Sequence, residues 1–143
     1  MTIEQFFINS VGEWNSMRSG HSLAFQDFEE IRSKIKIIPA QANDLRVIKL
    51  LKDNLITTTE EKKAYIISWE AKSEWGDENQ KENSSGESIL VPLEISKTEG
   101  KLIRSVGYTE AIQVTSLYKI LDDGTLIIYS NYNHIATEER IWF

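Results

Sequence analysis

The feature that most constrains this chain is strict alternation. In residues 64–75 (AYIISWEAKSEW), Tyr65, Ile67, Trp69, Ala71, Ser73 and Trp75 fall on one side, and Ile66, Ser68, Glu70, Lys72 and Glu74 on the other. A period of two over this length is a strand with one enclosed and one wet face. The same period returns in 12–26, 30–39, 88–95, 101–108, 111–121, 125–132 and 135–143. Breaks occur around Gln26-Asp27-Phe28, at Glu99-Gly100 and at Asp122-Asp123-Gly124. Pro39 is expected to end sheet pairing after the second strand. The polar stretch 76–87 (GDENQKENSSGE) reads as a long loop.

Two segments carry helical spacing instead. Residues 2–9 form a short helix, with Thr2 as cap and Gln5 at capping-box spacing. Residues 43–53 form a second, capped by Asn43 or Asp44. Leu45, Ile48 and Leu51 lie on its apolar side and Arg46, Lys49 and Lys52 on a solvated or docking face. Short strands at even spacing after one helix imply an all-β, up-and-down antiparallel barrel in a single domain over 1–143. Closure removes the exposed edges that an open meander presents. A barrel of about eight to ten strands holds one small ligand. A β-sandwich is the competing arrangement.

Composition narrows the chemistry. The 143 residues include no Cys and two His, which excludes disulfide scaffolds, cysteine nucleophiles and a histidine-rich metal site. A net charge of −6 argues against general nucleic-acid binding. No apolar run reaches the roughly 20 residues of a membrane span, and the first residues lack the pattern of an export signal. A soluble cytosolic protein is expected, with no nucleic-acid or membrane partner.

Candidate binding residues lie on the strand faces. Trp69, Trp75 and Tyr65, separated by small residues, either fill the interior or leave flat slots for a planar ligand. Arg18 shares a face with Trp14 and Ser16, Arg104 with Leu102, Val106 and Tyr108, and Arg140 with Ala136, Glu138 and Trp142. An arginine on an apolar face requires a carboxylate, from the protein or from a ligand. His21 is a proton donor, a ligand contact or a structural histidine; His134 reads as a solvated turn residue. No Ser-His-Asp spacing, phosphate-binding glycine loop or metal motif is present.

Gly12-x-Trp14 after a short helix is similar to the start of lipocalin-like barrels, where an arginine from the last strand stacks across the Trp; Arg140 has that position. The longer pattern is more specific. Phe6-Phe7-x-x-Ser10-x-Gly12-x-Trp14-x-Ser16-x-Arg18-x-x-His21 resembles the S/U-type phycobiliprotein bilin lyases, the CpcS/CpeS group. So do Trp69, Gly107-Tyr108-Thr109-Glu110, Tyr118, Asp123-Gly124-Thr125-Leu126, Tyr132 and Glu139-Arg140-Ile141-Trp142-Phe143.

The resemblance implies a lipocalin-like barrel of ten strands, often dimeric, that binds a linear tetrapyrrole without a permanent cofactor. It implies delivery of the bilin to a cysteine of a phycobiliprotein subunit in the phycobilisome of a cyanobacterium. The Ile-, Lys- and Asn-rich composition suits a marine picocyanobacterial phycoerythrin lyase, with phycoerythrobilin, or else phycocyanobilin, as substrate. On this reading Glu139 contacts the pyrrole nitrogens, and His21 is a second acid–base candidate. Glu70 is a weaker one because it points outward. Arg18, Arg104 and Arg140 hold the propionates, and Trp69, Trp75, Tyr65 and Tyr108 form flat walls. Members of the family extend beyond the Trp-Phe pair that ends this sequence. The alternative function is a non-catalytic lipocalin-type carrier of a small hydrophobic ligand; a solidly packed interaction protein is a third.

Overall fold

The computed structural model describes residues 1–57, 62–73, 83–105, 114–132 and 134–143. The order is α1 (Ile3–Ser10), β1 (Gly12–Ser22), β2 (Asp27–Ala40), α2 (Leu45–Asp53), β3 (Ala64–Ser73), β4 (Asn83–Glu94), β5 (Glu99–Arg104), β6 (Val114–Ile120), β7 (Leu126–Tyr132) and β8 (Ile135–Ile141). All eight strands pair antiparallel with their sequence neighbours in one curled sheet. The fold is therefore all-β and lipocalin-like, with eight strands among the described residues where about ten are expected. Among the described residues no ladder joins β8 to β1, so the curl is open along that seam.

Most elements fall where the alternation places them. At the turns the bounds shift, since residues 23–26 form the β1–β2 turn while Asp27-Phe28 and Glu99-Gly100 lie within β2 and β5. The strand β4 departs most, beginning at Asn83 inside the expected loop. Its first residues are Asn, Ser and Gly, which carry no strand preference and are held by pairing with β3 from Lys72↔Asn83 onward. Pro39 stays within the ladder, opposite Tyr65. The strand β1 has already begun at Gly12 opposite Ile37. At Pro39 the strand β2 thus has one neighbour only, and the missing N–H costs no ladder bond there.

Two apolar clusters hold the two faces of the sheet. On the inner face Ile3, Phe6 and Phe7 of α1 pack with Tyr65, Leu102, Tyr118, Ile120 and Leu126. Each of the three helix side chains is at most 5% exposed, and each contributes about 2 kcal/mol on burial. The capping box is formed: Gln5 N donates to Thr2 Oγ1 at 3.2 Å, and Thr2 N donates to Gln5 Oε1 at 3.0 Å. The rest of the helix end is tied to β1, where Trp14 Nε1 donates to the Ser10 carbonyl at 2.8 Å.

The outer face is covered by α2, in a cluster of Val47 and Leu50 with Ala64, Ile66, Ile89, Val91 and Ile103. The buried stripe of α2 is not the expected one, since Leu45 and Ile48 face solvent. Five apolar residues spread around nine positions leave more than one possible stripe. Val47, Leu50 and Leu51 are selected because they meet the outer apolar row of β3–β5. Asp44 caps the helix, accepting from Arg46 N at 2.9 Å, while Arg46 also pairs with Asp44 and Glu87. These contacts hold the Asp44 carboxyl below its usual range and the Arg46 guanidinium above its own.

Candidate functional site

Register assigns each functional side chain to a face, because residues paired across antiparallel strands point the same way. Tyr65 belongs to the inner cluster, so the inner face carries the odd-numbered residues of β3 and their partners. One inner row runs across four strands as Trp14↔Ile35, Ile35↔Trp69 and Trp69↔Gly86. The Trp69 indole lies down over Gly86: a Cβ at Gly86 would stand 2.4 Å from its Cζ2 and 2.8 Å from its Cε2. A strand glycine here serves close approach by an aromatic ring. It leaves one flat indole face turned toward the inner space. The next inner row is small, Ser16↔Ser33 and Ser33↔Ala71, so this row sets no bulky side chain beside Trp69.

Arg18 is on the inner face of β1, opposite Ile31 and in line with Trp14. Arg104 is on the inner face of β5, opposite Leu90, which in turn pairs with Tyr65. Glu139 is on the inner face of β8, opposite Ile128, which pairs with Tyr118. The two seam strands are linked at one end by side chains, since Phe143 meets both Phe6 at 5.0 Å and Trp14 at 6.2 Å between ring centroids. Arg18 and Glu139 thus both face inward, one on each of the two seam strands.

Other candidates fall elsewhere. Tyr65 is 4% exposed and stacks on Phe7 at 4.6 Å with the rings 15° apart. It is core beneath α1, not an open wall, and burial pushes its hydroxyl pKa up. His21 pairs with Phe28, its ring 4.9 Å away, on the parity of the outer face and near the β1–β2 turn. His21 and Glu139 therefore occupy opposite faces, which corrects any shared acid–base role. Arg140 is on the outer face opposite Ile127, with its Nε 2.7 Å from Glu138 Oε1. Parity along β8 sends Glu139 inward and so Arg140 outward, and the ring of Phe143, not Arg140, meets Trp14. Trp75 and Tyr108 lie outside the described residues.

The structure adds features that composition did not signal. Tyr118 lies over Gly100 much as Trp69 lies over Gly86, with its hydroxyl 2.5 Å from where a Cβ would stand. That hydroxyl is buried without a hydrogen-bond partner among the described residues, and burial pushes its pKa up to about 12, with Glu94 adding to the effect. Ser116 and Ser130 share a buried hydrogen bond of 2.6 Å on the inner face. A glycine directly opposite an aromatic on the adjacent strand is the signal that could have found both ring-over-glycine contacts.

A groove of about 830 Å³ crosses β1–β4 along the row of Trp14, Ile35, Trp69 and Gly86 and the outward residues on either side of it. Register sends Glu13, Asn15, Lys34, Lys36, Ser68 and Glu70 outward along it, Glu70 as expected. Of the expected site residues it touches Trp69 and Glu70, and none of Arg18, Arg104 or Glu139. Among the described residues no group of three or more His, Asp or Glu is placed to hold a metal ion. No helix among them is long and apolar enough to cross a membrane.

The inner face thus offers a planar indole, two guanidinium groups and a carboxylate around small residues. Such a set can hold a flat conjugated molecule by its face, grip carboxylates at its edge and supply a proton. Comparison with known proteins identifies relatives over the whole chain. Residues 2–143 match the family model described as CpeS-like protein. The chain is 40% identical over its whole length to chromophore lyase CpcS/CpeS 3 of Trichodesmium erythraeum, covering 82% of that protein. It is 36% identical over its whole length to a putative phycoerythrobilin lyase CpeS of Microchaete diplosiphon, covering 63% of it. The solved S-type phycobiliprotein lyase CpeS from Guillardia theta superposes with a TM-score of 0.85 at 35% identity, over all of this chain and 76% of that one. Fold and sequence together place the chain in the CpeS-like family.

Proposed function

We propose that this protein is a bilin lyase that binds phycoerythrobilin on the inner face of its sheet and attaches it to a cysteine of a phycoerythrin β-subunit. The observation that carries the reading is that register turns Trp69, Arg18, Arg104 and Glu139 all to the inner face of the curled sheet. The relatives named chromophore lyases support the reaction class. The similarity to a protein named for phycoerythrobilin, at 36% identity, exceeds that to a phycocyanobilin lyase subunit, at 26%, and favours the first pigment.

The chemistry follows from pigment and face. The tetrapyrrole lies against the Trp69 indole, its two propionates meet Arg18 and Arg104, and its pyrrole nitrogens lie toward Glu139. A thiol adds across the ethylidene double bond of ring A: sulfur bonds the exocyclic carbon, the proton ends on the neighbouring ring carbon, and nothing leaves. Protonation of the pyrrole system by Glu139 makes that carbon more electrophilic. Fixing one extended geometry replaces a chance encounter with a positioned one. With no cysteine of its own, the protein cannot trap the pigment, so the only thiol in the step is the acceptor's.

The test is to mix the purified protein with phycoerythrobilin, record the absorption spectrum, add the apo-subunit and run a denaturing gel stained by zinc fluorescence. A red-shifted, sharpened spectrum and a fluorescent subunit band are expected. A shifted spectrum with no band reduces the protein to a carrier. No spectral change alongside micromolar binding of a fatty acid or retinoid moves it to the lipocalin-type binders.

A further inference from the structure

The core cluster of the inner face gathers at the α1 end of the sheet, where Met1 also lies 3.5 Å from the position of a Cβ on Gly124 in the β6–β7 turn. The β1–β2 turn stands at the opposite end. There Leu23 is 94% exposed and Phe25 77% exposed, with Phe28 beside them half exposed. Pairing of β2 with β3 reaches only Ile31↔Ser73, so Asp27–Glu30 pair with β1 alone among the described residues. The tip carries bare apolar side chains flanked by exposed Asp27 and Glu29. Isolated exposed apolar residues are ordinary, but a Leu and a Phe at one hairpin tip, covered by none of the described residues, form an apolar anchor.

Resting on the bilin-lyase reading, we propose that this tip docks the acceptor subunit, its Leu23 and Phe25 entering an apolar spot bordered by basic residues. Two observations select that occupant. The sequence holds no cysteine, so the thiol must approach from outside, and it must do so away from the end that α1 plugs. Arg18 sits on the same hairpin, two inner-face positions below the Ser22↔Asp27 pair that ends it. A partner seated on the tip is therefore brought next to the pigment's charged edge. Acidic Asp27 and Glu29 call for a basic rim on that partner.

The experiment measures phycoerythrobilin binding by absorption and, separately, the apo-phycoerythrin β-subunit concentration giving half-maximal transfer. It compares wild type, L23S/F25S, Phe25→Leu and Asp27→Lys, with the oligomeric state of each followed by sedimentation. For L23S/F25S unchanged pigment binding is expected, with the half-maximal concentration raised about tenfold or more, as for loss of an interface anchor. Asp27→Lys raises it by a smaller factor and Phe25→Leu leaves it near wild type. Wild-type acceptor dependence in L23S/F25S overturns the proposal. So does lost pigment binding, which makes the tip part of the pigment site, or dissociation of a wild-type dimer, which makes the occupant a second copy. If wild type itself binds no pigment, it is the bilin-lyase reading that has failed.

Discussion

Gly86→Ala isolates the contact on which the pigment surface rests. A methyl group there would lie 2.4 Å from Trp69 Cζ2, 2.8 Å from Cε2 and 3.0 Å from Cη2. Ordinary carbon contacts begin near 3.5 Å, so the indole must lift by about 1 Å or the strands must part. Overpacking of this size costs about 1–3 kcal/mol. Against it stands a gain of about 0.4–1 kcal/mol from the reduced freedom of the unfolded chain, which applies because Gly86 is not at positive φ. The overpacking term wins, leaving a net loss of about 1 kcal/mol and a melting temperature lower by roughly 2–4 °C. Binding changes more than stability, since the lifted ring enters the space assigned to the pigment. The expected loss of phycoerythrobilin affinity is about tenfold, or about 1.4 kcal/mol.

Thermal denaturation and pigment titration of four proteins decide it: wild type, Gly86→Ala, Trp69→Leu and the double variant. In the Trp69→Leu background the alanine should lose its penalty and become neutral or stabilising, giving a coupling of about 1 kcal/mol or more. Additive effects, or a single Gly86→Ala variant that is more stable than wild type with full pigment affinity, would refute the placement of Trp69 over Gly86.

Further expectations concern charge, seam and pH. Arg18→Ala should weaken pigment binding or transfer at least tenfold with no change in fold by circular dichroism, whereas Arg140→Ala, on the outer face beside Glu138, should leave both unchanged. Phe143→Ala removes the contacts to Phe6 and Trp14 and should lower stability by about 1 kcal/mol in denaturant unfolding. The hydroxyl of Tyr118 has a folded pKa of about 12 against an ordinary value of 10.0. The unfolded chain therefore loses that proton first, and stability present below pH 10 is lost as pH rises toward 12. Tyr118→Phe should remove that alkaline component and be neutral or stabilising at pH 7, because it deletes a buried donor without a partner.

Alternation made most of the fold legible, since each strand with one dry and one wet face announces itself by parity. The start of β4 did not, because Asn83, Ser84, Ser85 and Gly86 have polar or neutral character and take their strand conformation from pairing with β3. The α2 stripe was ambiguous for a related reason: which of Leu45, Val47, Ile48, Leu50 and Leu51 is buried depends on where Ile66 and Val91 lie, and that is tertiary information. At the site, parity grouped Arg18 with Trp14 and Arg104 with Leu102 but left open which of these faces, and which side of β8, turns inward. Pairing of Leu126 with Ile141 settles this, putting Glu139 inside and Arg140 outside. His21 shares a short motif with Arg18 yet sits at odd spacing from it, so one strand carries them to opposite faces. Gly86 escaped notice because a glycine gives no chemical signal until the ring lying on it is seen.

The most direct test of the account is a crystal structure of the protein with phycoerythrobilin bound. The account predicts the tetrapyrrole on the inner face, one ring against the Trp69 indole above Gly86, propionates at Arg18 and Arg104, and pyrrole nitrogens toward Glu139. Pigment seated on the outer face between Lys34, Lys36 and Glu70, with the inner face filled by protein side chains, would contradict it.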